Sequence, residues 1–141
     1  MNAYRLMTKI YELLEGDKPA GLKKVFHPGK PAGPFSQNLP AVTICTGDPA
    51  ESRSYPSDDV VAKDICTEVH VWTRDPYEKM EVRSRGTYEA LWPLLLELAS
   101  TLEGDPTLSG LVDDLEDLEI YDTSPGHGWI KATYTTQEGR M

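Results

Sequence analysis

Only two cysteines, Cys45 and Cys66, stand in the 141 residues, and they form no Cys-x-x-Cys pair. Two thiols make no disulfide framework for a domain of this size, so both are expected as small hydrophobic side chains in a reducing compartment. Long apolar runs are missing as well. The stretch Leu94–Leu96 is closed off by Pro93 and Glu97, whereas a membrane span needs roughly 18 or more such residues. The N-terminal Met-Asn-Ala-Tyr-Arg-Leu leads into no apolar segment with a small-residue cleavage site, so neither an export signal nor a membrane partner is expected.

Basic charge is scarce: 14 Lys and Arg stand against 23 Asp and Glu, for a net charge of −9. The deficit is graded along the chain. Residues 1–50 carry six basic and four acidic side chains, and residues 95–141 carry two and ten. Such a chain repels a phosphate backbone and is not expected to grip nucleic acid in a groove, although it can surround DNA without holding it.

Catalytic signatures are also lacking. His27, His70 and His127 fall in a predicted loop, strand and turn, and no H-E-x-x-H or His/Cys metal spacing links them. Cys66 and His70 share a predicted strand face but stand about 13 Å apart by strand rise, too far to share an ion. The acidic run Asp113, Asp114, Glu116, Asp117, Glu119, Asp122 lacks the calcium-loop pattern and reads as a solvated strand face. Gly29, Lys30 and Gly33 have the wrong spacing for a phosphate loop, and there is no nucleophile elbow or dinucleotide fingerprint. No enzyme, metal or cofactor is expected.

What is present, 39% hydrophobic and 26% charged residues, suffices for one core and a single domain over 1–141. Ala3, Leu6, Met7, Ile10, Leu13 and Leu14 recur at helical steps and predict a helix over 2–15, with Asn2 as cap and Gly16 as stop. Residues 17–39, rich in Gly and Pro, predict a long loop. Residues 40–46 read as a strand with Val42 and Ile44 inward, and 47–62 as a second long loop or loose hairpin. In 64–74, Ile65, Thr67, Val69, Val71 and Thr73 alternate with Cys66, Glu68, His70, Trp72 and Arg74, the pattern of a strand with one buried side.

A second helix is predicted over 76–102, with Tyr88, Leu91, Leu95, Leu98 and Leu102 on its stripe and a bend or break at Pro93. Strands over 111–122 and 129–136 follow, the latter with Ile130, Ala132 and Tyr134 inward, joined by a turn at 122–128. The expectation is therefore an α+β fold of order α-β-β-α-β-β, with two helices on one face of an antiparallel sheet of about four strands.

Three features point to interaction. His70, Trp72 and Trp129 are placed on the outward sheet face, where large aromatics are characteristic anchors of an interface. Trp shielding beneath a loop or helix end is the plainer alternative. The two long loops are the second feature. The third is charge: Lys18, Lys23, Lys24 and Lys30 lie early, and Asp113, Asp114, Glu116 and Asp117 lie late. Repeated around a ring, these opposite charges meet at every joint.

The strand Leu39-Pro-Ala-Val-Thr-Ile44, the charged strand Thr67-Glu-Val-His-Val-Trp-Thr-Arg74 and the closing Gly128-Trp-Ile-Lys-Ala-Thr-Tyr134 sit in an element order that covers residues 3–136. In this the chain resembles the tail terminator, or tail completion, proteins of long-tailed bacteriophages and related tail-like particles. The resemblance implies a non-catalytic virion protein. It implies a homo-oligomer, a hexameric ring, that docks on the last ring of tail tube protein, stops its polymerisation and presents a surface to the head connector, while DNA passes through the lumen without specific binding. It implies assembly in the host cytoplasm and a final place at the head-proximal end of the tail. It supplies no fixed functional residues. Two other readings stand beside it: a head–tail joining (neck) protein, and a monomeric small-ligand-binding α+β domain whose outward Trp residues line a pocket.

Overall fold

Asn2 caps the first helix as its residue type predicts, its side-chain oxygen accepting the Arg5 N–H at 2.8 Å. The computed structural model describes residues 1–57, 60–77 and 88–139. Helix α1 spans Ala3–Gly16 and buries Leu6, Ile10 and Leu14 completely. The strands are β1 (Lys24–Val25), β2 (Ala41–Ser57), β3 (Val60–Trp72), β4 (Asp114–Ser124) and β5 (His127–Gly139), with α2 (Tyr88–Gly104) between β3 and β4.

These strands form one sheet of order β1-β2-β3-β5-β4. The β1–β2 pair is parallel and the others are antiparallel. The α+β class stands as expected, with two helices among the described residues. The sheet differs from expectation in being five-stranded and mixed. The additional strand is a two-residue bridge inside the Gly/Pro-rich segment. The Lys23 N–H donates to the Pro40 carbonyl at 2.8 Å, and the Phe26 N–H donates to the Val42 carbonyl at 2.9 Å. Two residues are too few for any periodicity to reveal.

The segment 47–62 takes the hairpin alternative rather than the loop, as the end of β2 and the start of β3. Arg53 pairs with Lys63 and Ser54 with Ala62, and the register shifts between Thr46 and Glu51 and between Ser54 and Ser57. Pro49 and Pro56 fall in those two irregularities, where a residue without an N–H costs the ladder least. Residues 58–59 lie outside the described residues.

The second helix is described from Tyr88 onward. Pro76 and Tyr77 form a turn, and the predicted helical stretch 78–87 lies outside the described residues. Pro93 lies within α2 and does not interrupt it. Leu91, Leu95, Leu98 and Leu102 are fully buried and Leu94 and Ala99 nearly so, so packing holds the helix across the lost hydrogen bond.

Both helices cover one face of the sheet. Leu6, Ile10 and Leu14 of α1 and the α2 leucines share a core with Val42, Ile44, Ile65, Val69, Val71, Ile130, Ala132 and Tyr134, all predicted inward. Gly128 marks the closest approach: a Cβ there would stand 2.8 Å from Leu95 Cδ1 and 2.8 Å from the Tyr121 carbonyl oxygen. Strand β3 ends at Trp72 rather than 74, β5 runs on to Gly139 rather than 136, and β4 shifts as well. Strand β4 starts at Asp114 rather than 111, after a turn in which Leu108, Ser109 and Gly110 take positive φ. The predicted turn 122–128 shrinks to Pro125-Gly126, which puts His127 in β5.

Candidate functional site

The period-two alternation of β3 and β5 turns one set of side chains away from the helices. On β3 this set is Cys66, Glu68, His70 and Trp72, and on β5 it includes His127 and Trp129. Register places His70 opposite Trp129 and Trp72 opposite His127, and Tyr121 of β4 beside Trp129. The rings form a continuous band. Trp72 and His127 stack with centroids 3.7 Å apart and planes 5° apart. His70 lies 5.0 Å from His127 and 5.3 Å from Trp129, and Tyr121 lies 5.2 Å from Trp129.

The two Trp side chains are half-buried rather than fully outward. Trp72 is covered from one end of the band. Phe35, from the segment predicted as a long loop, reaches over the sheet to lie 6.0 Å from it, and Phe26 backs Phe35 at 5.3 Å. These two Phe and Ala41 make a second small core against Leu39 and Trp72. The Trp72 indole N–H donates to Thr43 Oγ1 at 3.0 Å. The other end of the band is open, with Tyr121 exposed.

Polar groups under the band are tightly linked. His70 Nδ1 lies 2.7 Å from His127 Nε2, and His70 Nε2 lies 2.8 Å from Glu68 Oε1. Burial, helped by the neighbouring His70 and Arg74, pushes His127 down to about 4, so its imidazole is neutral at physiological pH. The Cys45 thiol, an exposed group on β2, donates to Glu68 Oε1 at 3.9 Å. Partial burial and the Glu68 carboxylate push this thiol up to about 11. Cys45, Glu68 and His70 therefore bring a sulfur, an oxygen and a nitrogen within 4.8 Å of one another.

Sequence spacing does not find this trio, because Cys45 and Glu68 are 23 residues apart and meet only through the β2–β3 register. Cys66, the cysteine on the same strand as His70, is buried. His127 and Tyr121 are missed for related reasons: one is masked by turn-forming neighbours, the other by its acidic strand. Phe35 carries only the signal of being one of two Phe in the chain.

The charged candidates occupy opposite edges of the sheet. Lys23 and Lys24 are exposed at β1, Lys18 Nζ reaches the Lys23 carbonyl at 3.5 Å, and Lys30 is exposed in the turn beyond β1. Asp113, Asp114, Glu116 and Asp117 are exposed at β4, the far edge. Glu116 is held above the usual carboxylate range, first by a hydrogen bond with Asp64 and then by partial desolvation and nearby acids. Tyr121 donates its hydroxyl to Glu119, which lowers the Glu119 carboxyl. The cleft lined by Tyr4, Arg5, Thr8, Lys9 and residues 108–111 lies at α1, and neither Trp lines it. No protein-family model matches the chain, and no curated protein matches it significantly.

Proposed function

We propose that the chain is a structural subunit of the tail-terminator kind. It assembles as a closed ring that caps a tail tube, ends its polymerisation and offers a docking surface to a head connector. The observation that supports this reading is the separation of charge across one sheet. Lys18, Lys23, Lys24 and Lys30 gather at the β1 edge, and Asp113, Asp114, Glu116 and Asp117 gather at the β4 edge.

A ring is built from heterologous contacts, so each subunit must present two different and complementary surfaces. Opposite charges on opposite edges meet that requirement and also steer subunits into one orientation. The open end of the aromatic band, Trp129 and Tyr121, adjoins the acidic edge and adds an apolar contact to it. A net charge of −9 suits a ring through which DNA slides without being gripped. Native mass spectrometry with negative-stain microscopy tests the reading. A closed ring, six subunits for this family resemblance, is the expected species, and a monomer persisting at high micromolar concentration removes it.

A further inference from the structure

We propose that Cys45, Glu68 and His70 form a binding site for one divalent cation of the zinc type on the sheet face that points away from α1 and α2. The site is complete within one subunit, so it stands or falls independently of ring assembly.

The geometry comes from the sheet itself. Cys45 and Glu68 are direct partners in the β2–β3 ladder, and His70 stands two residues beyond Glu68 on the same face. The Cys45 Sγ to Glu68 Oε1 distance is 3.9 Å and the Glu68 Oε1 to His70 Nε2 distance is 2.8 Å. All three donor atoms lie within 4.8 Å of one another. A tetrahedral zinc ion, with bonds of ~2.3 Å to sulfur and ~2.0–2.1 Å to nitrogen or oxygen, spaces its donors roughly 3.3–3.6 Å apart. The two measured spacings bracket that range, so small side-chain rotations suffice to seat an ion.

The donor set selects the ion. A thiolate is a poor ligand for magnesium or calcium, and sulfur, imidazole and carboxylate together suit zinc or cobalt. Three protein ligands leave a fourth position for water, and the exposed Cys45 provides the way in. His127 supplies the outer support that metal-bound imidazoles usually have, since its Nε2 lies 2.7 Å from His70 Nδ1. On binding, the Cys45 thiol releases its proton to water. His70 exchanges its Nε2 proton for one at Nδ1 through solvent, which frees Nε2 for the metal, and His127 moves its proton from Nε2 to Nδ1 so that its Nε2 accepts from His70; each ring keeps its number of protons, and the thiol proton is the one released. No electron transfer is involved.

The test uses the full chain without a polyhistidine tag, reduced and stripped with chelator. Zinc is titrated by calorimetry and cobalt by absorption spectroscopy. One ion per chain is expected, and cobalt should produce a thiolate-to-metal charge-transfer band with the intense ligand-field bands of a four-coordinate site. Cys45→Ser, a change at an exposed position, should abolish the charge-transfer band and weaken zinc binding by about 10-fold or more. Glu68→Gln should weaken it as well, and Cys66→Ser should leave the band in place. Natively folded wild-type protein, checked by circular dichroism, that binds no stoichiometric ion overturns the proposal. So does a Cys45→Ser variant that binds as tightly as wild type, or a band that disappears in Cys66→Ser instead.

Discussion

Single positions in the core and in the aromatic band decide most of the stability that this chain can lose. Leu95 is fully buried between α2 and the sheet, and Leu95→Ala should cost roughly 2–5 kcal/mol in chemical denaturation. Gly128→Ala should be destabilising by about 1–3 kcal/mol, because the added Cβ meets Leu95 on one side and the β4 backbone on the other. Tyr134 offers the opposite case. Its ring is fully buried and its hydroxyl has no hydrogen-bond partner among the described residues. Tyr134→Phe should therefore melt at the wild-type temperature or above it, and a clear loss of stability would expose an unseen partner for that hydroxyl. Glu116 gives a pH signature. Its folded-state pKa is raised by the hydrogen bond with Asp64 and by Asp117 and Asp114, so the stabilising protonated form is fully present below the ordinary carboxylate pKa and is lost as pH rises through the raised value. Melting temperatures of Glu116→Gln and wild type should converge at low pH, with the variant higher at neutral pH.

At the level of elements, what was legible in the sequence was what one repeating period can carry. The alternation Ile65, Thr67, Val69, Val71 and the alternation Ile130, Ala132, Tyr134 identify the core face, because every second position in a half-buried strand must be apolar. The i, i+3, i+4 pattern of α1 and α2 identifies their buried stripes for the same reason. Strand β4 escapes this logic. In strict alternation Leu115 would oppose Leu118 and Ile120, yet the register skips Glu116 between Leu115 and Asp117. The bulge brings Leu115, Leu118 and Ile120 onto the core side together and ejects Glu116 toward Asp64. Deleting Glu116 should therefore leave Leu115 opposite Tyr134 and facing the core in a now regular ladder, and the expected result in chemical denaturation is stability kept or raised, whereas inserting a second residue there should lower it. His70, Trp72 and Trp129 were legible as neighbours on the outward face, whereas the His127, Tyr121 and Phe35 parts of the band and the Cys45–Glu68–His70 trio were not, for a different reason. Their members come from separate strands and a loop, and only pairing register brings them together. Trp72 shows the limit on one residue: its alternation places it correctly, but the Phe35 cover depends on a Gly/Pro-rich segment with no period to read. Trp72→Ser should accordingly cost stability as well as any contact, while Trp129→Ser tests the open end of the band with less effect on the fold.

For the whole molecule, the proposed pairing of the two charged sheet edges carries a dependence on ionic strength. The Debye length falls from about 8 Å at physiological salt to about 3 Å at 1 M, so contacts between exposed edges weaken as salt rises. A ring held by Lys18, Lys23, Lys24 and Lys30 against the β4 acids should dissociate progressively under sedimentation as salt is raised toward 1 M. Reversing Lys23 and Lys24 to Glu should shift the same transition to lower salt while leaving circular dichroism unchanged. An assembly whose mass is indifferent to both changes is held by other surfaces, and the charge-pairing model then fails.

Strand β2 is 17 residues long, yet β1 pairs with it only at Ala41 and Val42. Among the described residues, the rest of its outer rim meets no other strand. Such a rim is a template on which copies of a concentrated chain can zip together edge to edge. Pro49 and Pro56 interrupt it at its two register shifts, and Asp48, Glu51 and Arg53 add charge along it. The local irregularity of this strand therefore works as a guard against fibrous association between copies of the chain.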